Sequence, residues 1–303
     1  MAEDRTDSRA IVVGVDESDS ARDAAEWAAD VASVWRAPVS LLHTVGGERG
    51  AAGVEPGWLS ELRRIAERVG ADPVETHVVA GDVAEVLLDR AAGARLLVVG
   101  SYGEGAVAGM LAGDTALSLL AACPCPVAVI RGRAPGIAPP RGGPVVVGVD
   151  GSPTGNAALE FAAGLAEAVG ARIVALHTWA DVTADESGQM RRVDQDWDAL
   201  AQQAGVVLDA SLGPVLERHP GLQVERAVLG DNPLRALLAR ANEARMLVVG
   251  HRRAALPEGM RRLGSTSKGL VEFAGCPVVI TPPFAGPEGD AGRAAERSAQ
   301  PTG

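Results

Sequence analysis

Lysine is almost missing from this chain. Lys268 is the only one among 303 residues, and arginine carries nearly all the positive charge, a pattern that reads as base-composition bias. The scarcity removes lysine-centred chemistry from most of the sequence, and no Gly-x-x-x-x-Gly-Lys-Ser/Thr phosphate loop exists. Cysteine is scarce too. Cys123, Cys125 and Cys276 are too few and too unevenly placed for a disulfide framework, and no Cys/His spacing resembles a zinc site. Each lies just before a Pro-led apolar run, as buried small hydrophobes do. No apolar stretch approaches the ~20 residues of a membrane-spanning helix. The first ten residues, MAEDRTDSRA, are charged and lack an apolar core, so no secretory signal is expected there and the expected location is cytoplasmic. A basic face is lacking as well: the net charge of −11 speaks against a nucleic acid or an anionic membrane as partner.

What is present is written twice. IVVGVDES at 11–18 returns as VVVGVDGS at 145–152, and SLLHTV at 40–45 as VALHTW at 174–179. AGD at 80–82 returns as LGD at 229–231, and GARLLVVGSYG at 93–103 as EARMLVVGHRR at 243–253. CPVAVIR at 125–131 returns as CPVVITP at 276–282, so five blocks recur in order while their offset drifts only from 134 to 151. A unit of about 140 residues builds a whole domain rather than one rung of a solenoid. The boundaries read as a first domain at 9–131, a Pro/Gly linker at 132–143 (GRAPGIAPPRGG), a second domain at 144–283 and a disordered tail at 284–303.

Each copy alternates short Val/Ile/Leu runs with Ala-rich stretches, the pattern of right-handed βαβ units and a parallel sheet covered on both faces. Strands are expected near 10–15, 38–43, 74–80, 95–100 and 126–131, and again near 144–149, 172–177, 223–229, 245–250 and 277–281. One long helix is expected over 190–218, where Val193, Trp197, Leu200, Ala204, Leu208, Leu212 and Val215 mark a buried stripe. Gly213-Pro214 is expected to kink or end it. The five tryptophans read as core or interface, and His43 and His177 as packed strand-end residues.

The informative chemistry follows the fourth strand of each copy. Gly100-Ser101-Tyr102-Gly103 is followed by nine residues and then Gly113-Asp114-Thr115, so a buried strand ends in a glycine turn and a further glycine opens a helix. Glycines admit close backbone approach, and a helix N-terminus presents unpaired N–H groups, which together suit an anion. Asp16 ends the first strand, beside the fourth, in the crevice where open α/β sheets bind ligands. Asp16 and Asp150, with Ser18 and Ser152, read equally as helix caps. Gly103–Ala108 matches a dinucleotide fingerprint on paper, but it follows the wrong strand and lacks the acidic residue about twenty positions on.

The strand–Asp–x–Ser start, Gly-x-x-Gly-(nine)-Gly and the closing Cys-Pro-Val strand resemble the universal stress protein family, in tandem over about nine-tenths of the chain. The resemblance implies an α/β fold of two open parallel five-stranded sheets, each of order 3-2-1-4-5. It also implies ATP, with Mg²⁺, as ligand: adenosine near the first-strand Asp and the end of strand two, phosphates on the glycine loop. The implied residues are Asp16, Thr44, Gly100, Gly103, Gly113 and Thr115 in copy one. In copy two they are Asp150, Thr178, Gly250, Gly264, Ser265, Thr266 and Ser267. Both copies depart from the pattern. Asp114 and Ala116 stand where phosphate-binding hydroxyls are expected, and Arg253 replaces the second glycine of copy two, whose spacing to Gly264 is one residue longer. His251 follows Gly250 and stands within reach of a ligand. The family also pairs its last strands, implying intramolecular domain pairing here through 126–131 and 277–281, and a homodimer as a further assembly. Three readings stay open: a nucleotide-binding stress protein acting by conformation or on a protein partner the sequence does not identify, a nucleotide-free interaction scaffold, and a slow ATPase. Against the last, no general base or Mg²⁺-binding acidic cluster is identifiable.

Overall fold

Runs such as Ile11–Gly14 form strands that are buried on both sides, so successive residues divide between two apolar layers. Ile11 and Val13 enter the layer on one face of the sheet and Val12 the layer on the other. The computed structural model describes residues 9–46, 53–103, 113–134, 136–179, 182–184, 190–192, 197–251 and 263–282. In the first copy the order is β1 (Ile11–Gly14), α1 (Asp19–Trp35), β2 (Val39–Val45), α2 (Gly57–Val69), β3 (Val74–Ala80), α3 (Val83–Ala91), β4 (Leu96–Gly100), α4 (Asp114–Ala122) and β5 (Val127–Ile130). The second copy has β6 (Val145–Gly148), α5 (Pro153–Ala168), β7 (Ile173–Trp179), β8 (Val182–Ala184), β9 (Met190–Arg192), α6 (Trp197–Arg218), β10 (Val224–Gly230), α7 (Pro233–Ala241), β11 (Met246–Gly250), α8 (Ser265–Phe273) and β12 (Val278–Thr281). Helices α1, α2, α5 and α6 cover one face, and α3, α4, α7 and α8 the other. No described helix is long and apolar enough to cross a membrane.

Each half has the expected strand order, β3-β2-β1-β4-β5 and β10-β7-β6-β11-β12, all parallel. The expected pairing of the last strands is present as well. β12 pairs antiparallel with β5, and the halves merge into one ten-stranded sheet. Leu97 faces Val127 as Leu247 faces Val278, which makes Ala128 and Val279 equivalent positions of the two copies. These two residues pair with each other, so the local twofold axis relating the halves passes between them. The physical reason is edge strand chemistry: each last strand is fully buried along its length and would otherwise present an apolar edge with unpaired N–H and C=O groups. At the two outer edges of the ten-stranded sheet, β3 and β10 instead carry Glu75, His77, Glu225 and Arg226, which discourage further strand addition.

Side chains reinforce the junction. Trp35 of α1 meets Phe161 of α5 edge-to-face, with ring centroids 5.9 Å apart, and the Arg95 guanidinium lies 3.9 Å from the Trp35 centroid. Arg131, just past β5, donates through Nη1 to the carbonyls of Val271 (2.9 Å) and Glu272 (2.6 Å), so a residue of copy one caps the C-terminal turn of α8. The linker is pinned rather than loose. Arg141 bonds Glu26 and Asp30 of α1, each at 2.9 Å, its own carbonyl accepts from Arg245 Nη1 of copy two, and Arg133 donates to the Asn242 carbonyl.

The segment 190–218 departs from the single helix expected of it. Residues 190–192 form β9, which pairs antiparallel with β8, and the helix begins at Trp197. Its buried stripe comprises Ala204, Leu208, Leu212 and Val215, whereas Trp197 is half exposed and packs edge-on against Trp179 at 5.3 Å. Val193 lies outside the described residues, as do residues 283–303 and residues 104–112, which include all but the first residue of the rejected fingerprint. Pro214 neither ends nor replaces the helix, which runs on to Arg218. Gly213 and Pro214 are on its exposed side, where water can take the Ala210 carbonyl that loses its N–H partner, while Leu212 and Val215 hold the helix to the core.

Two outcomes follow. Halves expressed separately expose a buried edge strand, so each is expected to dimerise or precipitate in sedimentation velocity; two soluble, monomeric halves would argue against the junction. The second concerns the end of α6. His219 Nδ1 lies 2.8 Å from Glu167 and Nε2 3.4 Å from Glu160, and the Glu167 hydrogen bond, with help from Glu160, raises the imidazole above its ordinary 6.5. A raised folded value means a contribution that is complete below about pH 6.5 and lost as pH climbs through the raised value. His219→Gln should therefore cost about 0.2–1 kcal/mol at pH 5.5 and progressively less toward pH 8.5 in urea denaturation; a pH-independent difference would contradict the clasp.

Candidate functional site

In each half the strand order reverses between the first and fourth strands, and a cleft opens beyond their carboxyl ends. Cleft one, of about 330 Å³, gathers Asp16, Thr44, Gly100, Gly103, Gly113 and Thr115. Cleft two, of about 450 Å³, gathers Asp150, Thr178, Gly250, Gly264, Ser265, Thr266 and Ser267. Residues drawn from three distant sequence blocks thus meet at one place in each copy. Both volumes lie within the ~300–1,000 Å³ usual for small-molecule sites.

The aspartates are held before any ligand arrives. Asp16 Oδ1 accepts from the Ser18 N–H (3.0 Å) and hydroxyl (2.5 Å), and Ser18 Oγ in turn accepts from the Ala21 N–H at 3.1 Å. The same relay runs from Asp150 through Ser152 to the Gly155 N–H. The serines are therefore the caps of α1 and α5, and the aspartates brace them from the cleft wall. His43 and His177 sit near the carboxyl ends of β2 and β7, their Nδ1 atoms 3.1 Å and 2.7 Å from the carbonyls of Val15 and Val149, and both line the clefts.

The glycines divide into two kinds. A Cβ on Gly100 would stand 2.5 Å from Ser20 Oγ and 2.9 Å from its carbonyl carbon, and one on Gly250 would stand 2.5 Å from the Thr154 carbonyl oxygen. These two are small because the first helix of each copy crosses the fourth strand in contact. In copy one that approach is used twice: buried Ser20 accepts from the Ser101 N–H at 2.8 Å. Gly113 and Gly264, by contrast, cap α4 and α8 with ordinary extended backbone, and a Cβ there meets no described atom nearer than 3.9 Å at Gly113 and none within 4 Å at Gly264. Packing among the described residues does not require their smallness; a ligand against the helix start would. Gly103 belongs with them in part, since a Cβ there would approach Asp16 Oδ2 to 2.9 Å and crowd the mouth of cleft one.

The two helix starts differ chemically. In cleft two Ser265, Thr266 and Ser267 present three hydroxyls at the N-terminus of α8. In cleft one Thr115 and buried Ala116 take the last two of those places, and Asp114, at the place of Ser265, is exposed and not among the lining residues. A carboxylate at this place would repel a phosphate, but Asp114 is exposed at the first turn, where it suits the helix dipole. His251 is buried, bonds through its N–H to the Thr281 carbonyl at 2.9 Å and does not line cleft two. Arg253 lies outside the described residues.

Sequence reasoning missed the apolar walls. Leu42, Leu87 and Val99 in cleft one, and Leu176, Leu237 and Val249 in cleft two, offer a flat dry surface beside the polar helix start. Their only sequence signal is that of core residues, and each does belong to the core layer on that face. Among the described residues no group of three or more His, Cys, Asp or Glu gathers as a metal site.

Comparison with known proteins places the fold in one family. The Universal stress protein family model matches residues 8–131 and again residues 143–282. A universal stress protein of Mycobacterium tuberculosis is 32% identical over 291 residues, covering 90% of this chain and 96% of the relative. One from Mycolicibacterium smegmatis is 32% identical over 291 residues, covering 90% and 97%. Among solved structures, a universal stress protein from Archaeoglobus fulgidus shares the fold with a TM-score of 0.65 at 19% identity, covering 92% of this chain and 100% of that one.

The two kinds of glycine make a paired test. Gly250→Ala forces a methyl into backbone and should cost about 1–3 kcal/mol by the measure of overpacked cores. Gly264→Ala should cost about 1 kcal/mol or less, the price of a poorer cap. Equal losses in urea denaturation would mean that Gly264 too is held by packing.

Proposed function

The chain belongs to the universal stress protein family, and from that premise and the two clefts we propose that it is a cytoplasmic stress-response protein that binds ATP and acts by conformation or through a protein partner. The observation that carries the reading is cleft two. There a helix N-terminus and three hydroxyls, Ser265, Thr266 and Ser267, stand across from Asp150 and Thr178, with an apolar wall between. A triphosphate suits the helix start, whose N–H groups and hydroxyls donate to anionic oxygens. An adenosine suits the other end: Leu176, Leu237 and Val249 for the flat base, Asp150 and Thr178 for hydroxyls of the sugar. With no acidic cluster among the described residues, Mg²⁺ would enter on the phosphates rather than in a cage of its own.

Cleft one has the same wall and the same Asp16 and Thr44, but fewer donors at the helix start and a smaller volume, about 330 Å³ against 450 Å³. The proposal therefore ranks cleft two as the tighter nucleotide site. Among the described residues each cleft's histidine and aspartate are already engaged, His43 and His177 with the carbonyls of Val15 and Val149 and Asp16 and Asp150 with the capping serines, so the reading is of a binding protein rather than an ATPase.

Calorimetric titration with Mg-ATP should report binding that is weakened when Ser265 and Ser267 are both replaced by Ala, by about 1.5–3 kcal/mol for each hydrogen bond lost to a charged oxygen. Ala116→Ser should leave cleft two alone and strengthen cleft one. Absence of binding by the native protein would favour the nucleotide-free scaffold, and an unchanged affinity in the double variant would move the phosphates away from α8.

A further inference from the structure

One pair of side chains plays no part in either cleft. Cys123 and Cys125, separated by Pro124, hold their sulfur atoms 3.5 Å apart. Cys123 ends α4, its N–H bonded to the Leu119 carbonyl at 2.8 Å, and Cys125 leads into β5 with its Sγ 3.5 Å from the Pro126 carbonyl oxygen. Both are buried, each keeping 7% of its surface exposed. Copy two supplies an internal control. Cys276 stands at the place of Cys125, Ala274 stands at the place of Cys123, and Cys276 is wholly buried with its thiol pushed up to about 12 by desolvation. Copy two thus has one inert thiol where copy one has two in contact.

We propose that Cys123-Pro124-Cys125 is a site of reversible two-electron oxidation, closing to an intramolecular disulfide when the protein meets a hydroperoxide. In the first step the Cys123 sulfur attacks the outer peroxide oxygen. An S–O bond forms, the O–O bond breaks, and the alcohol (water, for hydrogen peroxide) leaves with the thiol proton, giving a sulfenic acid. Cys125 then attacks the Cys123 sulfur, the S–S bond forms, the S–O bond breaks, and water departs with the Cys125 proton. Two thiols and one hydroperoxide become one disulfide, one alcohol and one water. The contact favours this order, since a hydrogen bond from Cys125 lowers the Cys123 thiol while that same bond, with burial, raises Cys125. Closure must draw the sulfurs from 3.5 Å to the ~2.05 Å of a disulfide, pulling the end of α4 toward the start of β5. A disulfide across two residues is strained, and strained disulfides are the readily reduced ones; disulfides in reducing compartments are mostly of this transient or sensing kind.

The test uses the full chain, reduced and then exposed to hydrogen peroxide in slight excess. Thiol titration in denaturant should fall from three to one, matching the loss of two of the three cysteines. Intact mass should drop by two hydrogens, the change should map to the peptide holding Cys123 and Cys125, and dithiothreitol should restore all of it. Cys276→Ala should still lose two thiols. Cys123→Ala and Cys125→Ala, each introducing a residue already tolerated in such cores, should gain no intramolecular disulfide. The proposal is overturned if three thiols survive, if the product is a sulfinic or sulfonic acid that dithiothreitol cannot reverse, or if disulfides form between chains.

Discussion

The pairing of β5 with β12 is the contact on which the rest of the molecule depends. Each half is a five-stranded sheet whose last strand is buried from end to end, and such an edge cannot be left in water. Joining the two edges antiparallel satisfies their backbone groups and merges two pairs of helical layers into two continuous ones. The apolar layer on one face contains Val13 and Ala128 of copy one with Val147 and Val279 of copy two. The other face likewise joins Val129 to Val278 and Ile280. Both layers cross the junction, so the core of each half continues into that of the other. The Trp35–Phe161 contact and the Arg141 ion pairs with α1 are secondary to this: they fix the angle of a joint that strand pairing has already made.

A duplicated chain relieved of the need for symmetry can let its copies diverge, and the clefts show where. Their floors are the same, because the Asp–Ser relay and the contact between first helix and fourth strand are structural and serve both halves. Their helix starts differ, Ser265 and Ser267 facing Asp114 and Ala116 across the repeat. Outside the clefts the copies differ most at their second helices, α2 with 13 residues and α6 with 22, and in the β8–β9 pair, which among the described residues only copy two has. Arg131 carries the asymmetry further. It reaches from beside cleft one to the last carbonyls of α8, whose first turn lines cleft two, while its counterpart by position is Pro282, which has no such donor.

Most of the fold was legible because a parallel strand covered on both faces must be apolar at every position, and runs such as IVVG and LLVVG have few other uses. The exception was instructive. Val193 and Trp197 continue the spacing of Leu208 and Leu212, yet Trp197 is half exposed against Trp179, and residues 190–192 pair as a strand. A helical period can be extended into a neighbouring segment by chance, and nothing in the residues marks the stop. The merged sheet was legible only in part: buried last strands predict a partner, but not that the partner's register would place Ala128 opposite Val279.

At the clefts, the motif residues were found because glycine, aspartate and serine are conspicuous, but their spacing did not distinguish the reasons for them. Gly100 and Gly250 look in sequence like Gly113 and Gly264, and only coordinates separate a glycine pressed on by Ser20 or Thr154 from one facing open space. The walls stayed hidden for the opposite reason. Leu87 and Leu237 cover the sheet and the clefts with the same side chain, and a residue with two roles of one chemistry leaves one signal. It follows that a substitution at Leu237 could not report on binding alone, whereas the hydroxyls of α8, which the fold does without at Asp114 and Ala116, can be removed from the cleft with little demand on the core.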